Sequence, residues 1–374
     1  MAEQVEGIKW VPGTRLMVDG FRFQSPRCQC YLLTHAHADH TTGLSKSFSS
    51  GTIFCTPVTA ALLRENMGIP AHRICPLALD QPTVIDGITI TPIDANHCPG
   101  ACMFLMKVPE KGSSKSKMIL HTGDMRWKAG MEKHPALQAV KVHTLILDTT
   151  YASPSHVHPP QDEAIASMVE VMRSTGRKRP STLFVVGSYH IGKERAYLGA
   201  AKALGWKVWC PAHKRKVLSL LNLSQADMSL LAKTPDAARI HVAAMGLNLS
   251  PEKLSEKIAN SKRWTHVVAF RPTGWSFKKS GGLETRTEGN VTVYGIPYSE
   301  HSSFSELRQC VAALRPSKLI PTVNCPTPQA ARALVDRFAD LMNLSKDRSR
   351  MDMYCSRAPA HSAAADEAQF LAPA

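Results

Sequence analysis

Through roughly the first 150 positions, short runs of apolar and β-branched residues alternate with turn residues, and segments 16–18, 31–33, 53–55, 88–93, 103–108, 118–120 and 145–147 read as strands. One clear helix interrupts them. Thr56 supplies its N-cap, Pro57 suits the first helical position, and Gly68 follows the last apolar residues as a stop. So many strands with so little helix between them predict stacked sheets. From about residue 161 the pattern changes: helical periodicity at 162–173 and 193–204 alternates with strands at 183–186, 207–209 and 266–270, and Ser250-Pro251 opens a further helix. That alternation predicts a largely parallel sheet covered on both faces. An exposed loop at Lys278-Lys279-Ser280-Gly281-Gly282 precedes a strand at 291–296, a helix opened by the capping box Ser303-x-x-Glu306, and a strand at 319–323 with another helix behind it. Residues 356–374 are Ala- and Pro-rich and read as a mobile tail, and no internal repeat is visible.

Composition narrows the class. With 374 residues and 44% hydrophobic content the chain can bury a full core and is long enough for two or three domains. Its 45 Lys and Arg against 30 Asp and Glu leave a net charge of +15, which favours an anionic partner, nucleic acid or an acidic membrane surface. No segment reaches the ~18 uninterrupted apolar residues of a membrane span. Residues 1–10 carry two Glu and no apolar run, so they read as neither a secretory signal nor an Arg-rich transit peptide. The ten Cys are too sparse for a disulfide scaffold and imply a reducing compartment; Cys28, Cys30, Cys98 and Cys102 lack C-x-x-C spacing and are read as packing residues.

The chemistry concentrates at Thr34-His35-Ala36-His37-Ala38-Asp39-His40, directly after an apolar strand. Three imidazoles and a carboxylate so close together would be awkward in a packed core, where each buried polar group needs a partner. Metal ions resolve this, and a tight turn after a strand aims alternate side chains at adjacent ions. His97, in Asn96-His97-Cys98-Pro99-Gly100, and Asp124, in His121-Thr122-Gly123-Asp124, follow two further strands and complete a ligand set drawn from three strand ends. Asp19, at the end of the 16–18 strand, is a candidate outer carboxylate holding a ligating His in its tautomer.

His-x-His-x-Asp-His, then a distant His, then Gly-Asp resembles the signature of the metallo-β-lactamase fold. The resemblance implies that His35, His37 and His97 hold one ion, that Asp39 and His40 hold a second, and that Asp124 bridges them. Zinc is the implied metal, with one or two ions and Mg or Mn possible in the second site. Four later segments, Leu147-Asp148-Thr149-Thr150-Tyr151, Gly187-Ser188-Tyr189-His190-Ile191-Gly192-Lys193-Glu194, Phe270-Arg271-Pro272-Thr273-Gly274-Trp275 and Tyr294-Gly295-Ile296-Pro297-Tyr298-Ser299-Glu300-His301-Ser302-Ser303, are similar to the β-CASP nucleases of DNA cross-link repair. The similarity runs from about residue 18 to 322. It implies that Asp148 and His301 are the first two β-CASP motifs and that Val323 occupies the third, where RNA-processing members carry His and DNA-directed members Val.

The expected architecture is therefore α/β: a metallo-β-lactamase αββα sandwich from residues 1–158 and 290–345, a β-CASP α/β domain inserted at 159–289, and a tail at 346–374. The expected activity is that of a 5′-to-3′ DNA exonuclease acting on single-stranded DNA or a free 5′ end, as a monomer in the nucleus, in interstrand cross-link and end repair. Asp39, His40, Asp124, Asp148 and His301 are its expected catalytic residues. His301 would stabilise the phosphate or assist the leaving oxygen, and Asp148 would support the second metal's shell. By the resemblance, Ser188, Tyr189, Lys193 and Thr273 grip a terminal 5′-phosphate. Ile191-Gly192-Lys193 also opens a helix, where free N–H groups and a Lys favour an anion; the alternative is a Lys193 that merely solvates a helix. His190 stands where the nearest relatives are expected to carry Ser. Lys278-Lys279 and the 111–117 basic run either touch DNA backbone or form solvated faces. Recruitment through a ubiquitin-binding zinc finger or a long disordered arm ahead of the catalytic region, as in larger relatives, is not expected. Rival readings are an Artemis-type endonuclease, an RNA-processing β-CASP nuclease, a small-molecule hydrolase, which would not need the insertion or the charge, and a silent DNA-end scaffold, which would not need a complete ligand set.

Overall fold

The computed structural model of the chain describes residues 7–259, 261–274 and 283–344. Trp275, the Lys278-Lys279 loop and the tail at 346–374 lie outside the described residues. Strands β1 (Leu16–Val18), β2 (Cys30–Leu32), β3 (Thr52–Cys55) and β4 (Ile74–Pro76) form a parallel sheet in that order. Next come β5 (Thr83–Ile85), β6 (Ile88–Asp94), β7 (Cys102–Pro109) and β8 (Ser116–His121), an antiparallel meander that β9 (Thr144–Leu147) extends in parallel.

Side-chain alternation along these strands decides what faces what. Leu16 and Val18 of β1 point into a core with Phe104, Met106, Ile119 and Ile146, between the two sheets. Met17 points the other way and packs with Tyr31, Ile53 and Leu63 under the helix Pro57–Met67. That helix has the expected ends: Thr56 accepts the Thr59 N–H, and Gly68 sits in the left-handed conformation with its N–H on the Leu63 carbonyl. The Thr56 hydroxyl also donates to the Gly100 carbonyl at 2.6 Å, fastening the helix to the turn after His97. Met103, Leu105 and Leu145 face the far side, where the helix Phe304–Leu314 supplies Leu307 and Val311. This is the αββα sandwich.

The insertion is built on β10 (Thr182–Ser188), β11 (Val208–Trp209), β12 (Ile240–Ala244), β13 (His266–Pro272), β14 (Glu284–Glu288) and β15 (Val291–Ile296), in the order β11-β12-β10-β13-β15-β14. All pair in parallel except β14. Here the expected boundary at residue 290 shifts. The strand at 291–296 pairs with β13 along its whole length, and Val291 and Val293 pack with Leu183, Val185 and Ala269 of the same sheet. The chain returns to the second sheet of the sandwich only at β16 (Lys318–Pro321), which lies parallel to β9. Four strands, β4, β5, β12 and β14, had no reading in the sequence; β4 and β5 are only three residues long. β14 is fully exposed and polar, so it has no apolar period to betray it, and β12 is a short apolar run that periodicity alone cannot assign. Among the described residues, no helix is long and apolar enough to cross a membrane.

Candidate metal centre

Strands from both sheets of the sandwich end on one rim. His35 lies three residues beyond β2, His97 three beyond β6, Asp124 three beyond β8, and Asp148 directly follows β9. Ladder hydrogen bonds fix the strands, so the residues just past their ends are held rigidly. Gly123 sits at φ +53°, and a Cβ there would lie 2.7 Å from the Cβ of Thr34. The turn that delivers Asp124 therefore closes on the loop that delivers His35 only because it carries no side chain.

Hydrogen bonds on the outer nitrogens fix the tautomers of three imidazoles. The Thr34 hydroxyl donates to Asp19 Oδ2 at 2.7 Å, so it accepts from Nδ1–H of His35 at 3.0 Å. Nε2–H of His37 donates to the Ile191 carbonyl at 3.0 Å, and Nδ1–H of His97 donates to the Glu300 carbonyl at 2.8 Å. The inner atoms are then bare lone pairs: His37 Nδ1 lies 2.9 Å from His35 Nε2 and 3.1 Å from His97 Nε2. Burial opposes protonation, pushing His35 well below its ordinary pKa and lowering His37, while burial and then His301 bring His97 to about 4. Three lone pairs at such spacing repel one another unless a cation sits among them, and neutral imidazole is what a metal requires.

A second cluster adjoins the first through Asp124. Its Oδ2 lies 3.7 Å from His35 Nε2 and 3.8 Å from His97 Nε2, while Oδ1 lies 3.3 Å from His40 Nε2. Asp39 Oδ2 stands 3.6 Å from His40 Nε2 on an exposed side chain. Asp19 accepts from His40 Nδ1 at 2.7 Å, the outer-carboxylate role read from the sequence, although it serves Thr34 and through it His35 as well. Burial alone would raise the pKa of Asp124, yet His40, His301 and His35 hold it well below the usual carboxylate range. Burial likewise works against charge on His40, and Asp124 and Asp19 outweigh it. The donors that could hold metal fall into overlapping groups, His35, His37 and His97, then His35, His40 and Asp124, then His97, Asp124 and His301, with Asp39 exposed beside His40.

Asp148 acts on the rim through His301. Asp148 accepts four hydrogen bonds, from Met125 N–H, from the N–H and hydroxyl of Thr150, and from His301 Nδ1 at 2.9 Å. It therefore orients His301, the supporting role expected of it. His301 Nε2 lies 3.9 Å from Asp124 Oδ2, and its ring is 4.7 Å from that of His97, which makes it a further donor for the cluster. Cys98, read as a packing residue, is buried, but its sulfur shares the cluster of His35, His37 and His97. The signal was its place next to His97. Val323 lies just past β16, where its N–H and carbonyl are both bonded to the Thr149 hydroxyl, next to Asp148.

The insertion meets this rim through three adjacent parallel strands whose C-terminal ends point at it, the usual ligand edge of such sheets. β10 leads to Tyr189 and Lys193, β13 to Thr273, and β15 to Glu300 and His301. The expected phosphate cradle is only partly present. Ser188 is buried, and its hydroxyl donates to the carbonyls of Gly192 and Tyr189. The N–H groups expected to be free are not: Gly192 donates to Glu194 and Lys193 to Glu300. Lys193 precedes the helix Glu194–Leu204 in a left-handed conformation, and its ammonium stands over the rings of Tyr298 and Tyr189. Tyr189 is half exposed, and the Thr273 N–H is tied to the Ile296 carbonyl. His190 turns away and accepts from Asn66 of the helix Pro57–Met67. Glu300, which the sequence reading passed over beside His301, links the pocket to the metal rim.

Two stacked sheets with this rim and a parallel-sheet insertion define a metallo-β-lactamase-fold protein whose rim carries clustered metal donors. The chain is similar to the DNA-repair branch of that superfamily: residues 225–327 match the family "DNA repair metallo-beta-lactamase" and residues 19–180 the "Beta-lactamase superfamily domain". It is 42% identical over 323 residues to the DNA cross-link repair protein SNM1 of Arabidopsis thaliana, covering 84% of this chain and 65% of that one. It is 32% identical over 324 residues to the 5′ exonuclease Apollo of Mus musculus, covering 84% and 54%. The chain thus spans under two thirds of the length of these curated relatives. A solved protein of unknown function from Enterococcus faecalis V583 superposes with a TM-score of 0.52 over 78% of this chain and 74% of that one; at 15% identity the likeness concerns the fold alone.

Proposed function

We propose that this chain is a metal-dependent deoxyribonuclease that removes nucleotides 5′ to 3′ from a 5′-phosphorylated end, as a monomer in the nucleus, in interstrand cross-link and end repair. The observation that carries the reading is the convergence of His35, His37, His97, Asp39, His40 and Asp124 at the foot of a parallel sheet that presents Lys193. The +15 charge and the named relatives support a DNA substrate. Zinc in the first site, with zinc, Mg or Mn in the second, would lower the pKa of the attacking water and offset charge on the scissile phosphate. Asp148 holds His301 in one orientation and, with Asp124, raises its pKa to about 9 against the effect of burial. From Nε2, His301 can then stabilise the phosphate or assist the departing 3′ oxygen. Lys193, Tyr189 and Thr273 set the end of the strand, and Val323 favours DNA over RNA.

Purified metal-loaded protein should be offered 5′-phosphorylated and 5′-hydroxyl single-stranded DNA, matched RNA and a hairpin. Release of 5′-mononucleotides, fastest from the phosphorylated DNA, is the expected result. Cutting inside the hairpin, or equal cutting of RNA, would replace the reading by the Artemis-type or RNA-processing alternative.

A further inference from the structure

Among the described residues one buried imidazole has no hydrogen-bond partner at either nitrogen. His158 lies in the connection from β9 to the helix Gln161–Lys178 and is 8% exposed, yet neither Nδ1 nor Nε2 is paired. Such a group is disfavoured in a packed interior, where an apolar ring would fill the same space without forfeiting hydrogen bonds to water. Its surroundings lead toward the metal rim. The ring packs edge-on against Tyr151 with centroids 4.6 Å apart, and Tyr151 lies 5.9 Å from His301.

On its other side the turn after β13 closes down. A Cβ at position 274 would lie 3.2 Å from His158 Cε1 and 2.6 Å from the Tyr151 hydroxyl, so glycine alone lets this turn come so near. Cε1 is the carbon between the two ring nitrogens, so the nitrogen-bearing edge of His158 faces the Thr273-Gly274 turn. Burial first, then Arg126, His156, His301 and Lys193, bring its pKa to about 4. At neutral pH the ring is uncharged, with one N–H donor in a region of positive potential and no acceptor for it.

An anion with oxygen acceptors supplies what is missing. We propose that His158 is a substrate-binding residue, donating a ring N–H to a phosphate oxygen of the nucleotide lodged between His301 and Thr273. The inference rests on the DNA reading above and adds a contact to it.

The test compares the metal-loaded parent with His158→Phe, which keeps a flat ring and removes both nitrogens, and His158→Gln, which keeps a donor. KM and kcat on a 5′-phosphorylated oligonucleotide, bound metal and thermal midpoint are read for each. His158→Phe should raise KM about tenfold, with the bound metal unchanged and the midpoint at or above the parent's. His158→Gln should recover part of the loss. A Phe variant with the parent's KM overturns the proposal while leaving the nuclease reading intact, as does a KM loss that tracks loss of metal. If the Phe variant fails to fold, His158→Leu replaces it, and a Leu variant that binds as tightly as the Gln variant overturns the proposal. A parent that neither binds nor cleaves DNA overturns both readings.

Discussion

Lys193 and Glu300 form a buried ion pair between the insertion and the metal rim: Nζ lies 3.1 Å from Oε2, and the same carboxylate accepts the Lys193 N–H at 2.7 Å through Oε1. The backbone carbonyl of Glu300 in turn fixes the tautomer of His97. Lys193 and the imidazole cluster therefore share one partner residue. Removing the lysine leaves a buried carboxylate without its cation, at a cost of about 3–5 kcal/mol. Lys193→Ala should thus lower the thermal midpoint by several degrees, and adding Glu300→Gln should restore most of it. On top of this, cleavage of 5′-phosphorylated DNA should fall roughly ten- to hundred-fold, with a much smaller loss on the 5′-hydroxyl substrate. Equal losses on both substrates would make Lys193 a structural partner of Glu300 alone.

Asp39 and His40 should separate in their effect on the fold. The Asp39 side chain is 78% exposed and packs nothing, whereas His40 is the counterion of buried Asp19 and Asp124. Either Ala variant should cost more activity than the ~10–100-fold typical of outer-shell losses. In metal-free protein Asp39→Ala should melt with the parent, and His40→Ala several degrees lower. Activity within a few-fold of the parent in either variant would sink the two-cation assignment.

The His301–Asp148 pair gives metal-free protein a definite pH dependence. The pKa of His301 is raised from 6.5 to about 9, so the stability it contributes is fully present below pH 6.5 and lost as pH rises through about 9. The difference in unfolding free energy between the parent and Asp148→Asn should be larger near pH 6 than above 9 by on the order of 3 kcal/mol. Proton NMR of the His301 ring should show its titration dropping below 6.5 in the variant. A pH-independent difference would mean that Asp148 acts only through Thr150 and Met125.

The two ions should leave unequally. The first site offers three buried or half-buried imidazoles locked by outer hydrogen bonds, while the second depends on an exposed carboxylate, and Val323 adds no imidazole at the neighbouring strand end. Metal analysis during stepwise dialysis against a chelator should show one ion released well before the other. Simultaneous release at equal affinity would contradict this.

Local sequence was enough for whatever depends on near neighbours. Thr56, Pro57 and Gly68 bound their helix as read, Ser303 and Glu306 close a capping box, and period-two alternation sends Leu16 and Val18 one way and Met17 the other, because these are consequences of backbone geometry over a few residues. The clustering of His35, His37 and His40, with Asp39 exposed beside them, was likewise written in one turn, and that His97 and Asp124 join it was legible because each lies in the turn just past a strand. Only the tertiary structure decided the rest. An alternating strand at 291–296 does not say which strand it will pair with, and its ladder partner proved to be β13. A helix start rich in N–H groups does not say whether distant carboxylates already occupy them, and Glu300, more than 100 positions away, takes the one at Lys193. Nor does an aspartate at a strand end reveal its partner; Asp148 meets His301 across 153 residues of chain. Such pairings depend on long-range packing and on which charge is left to be neutralised when two domains close, and neither quantity is encoded in local spacing.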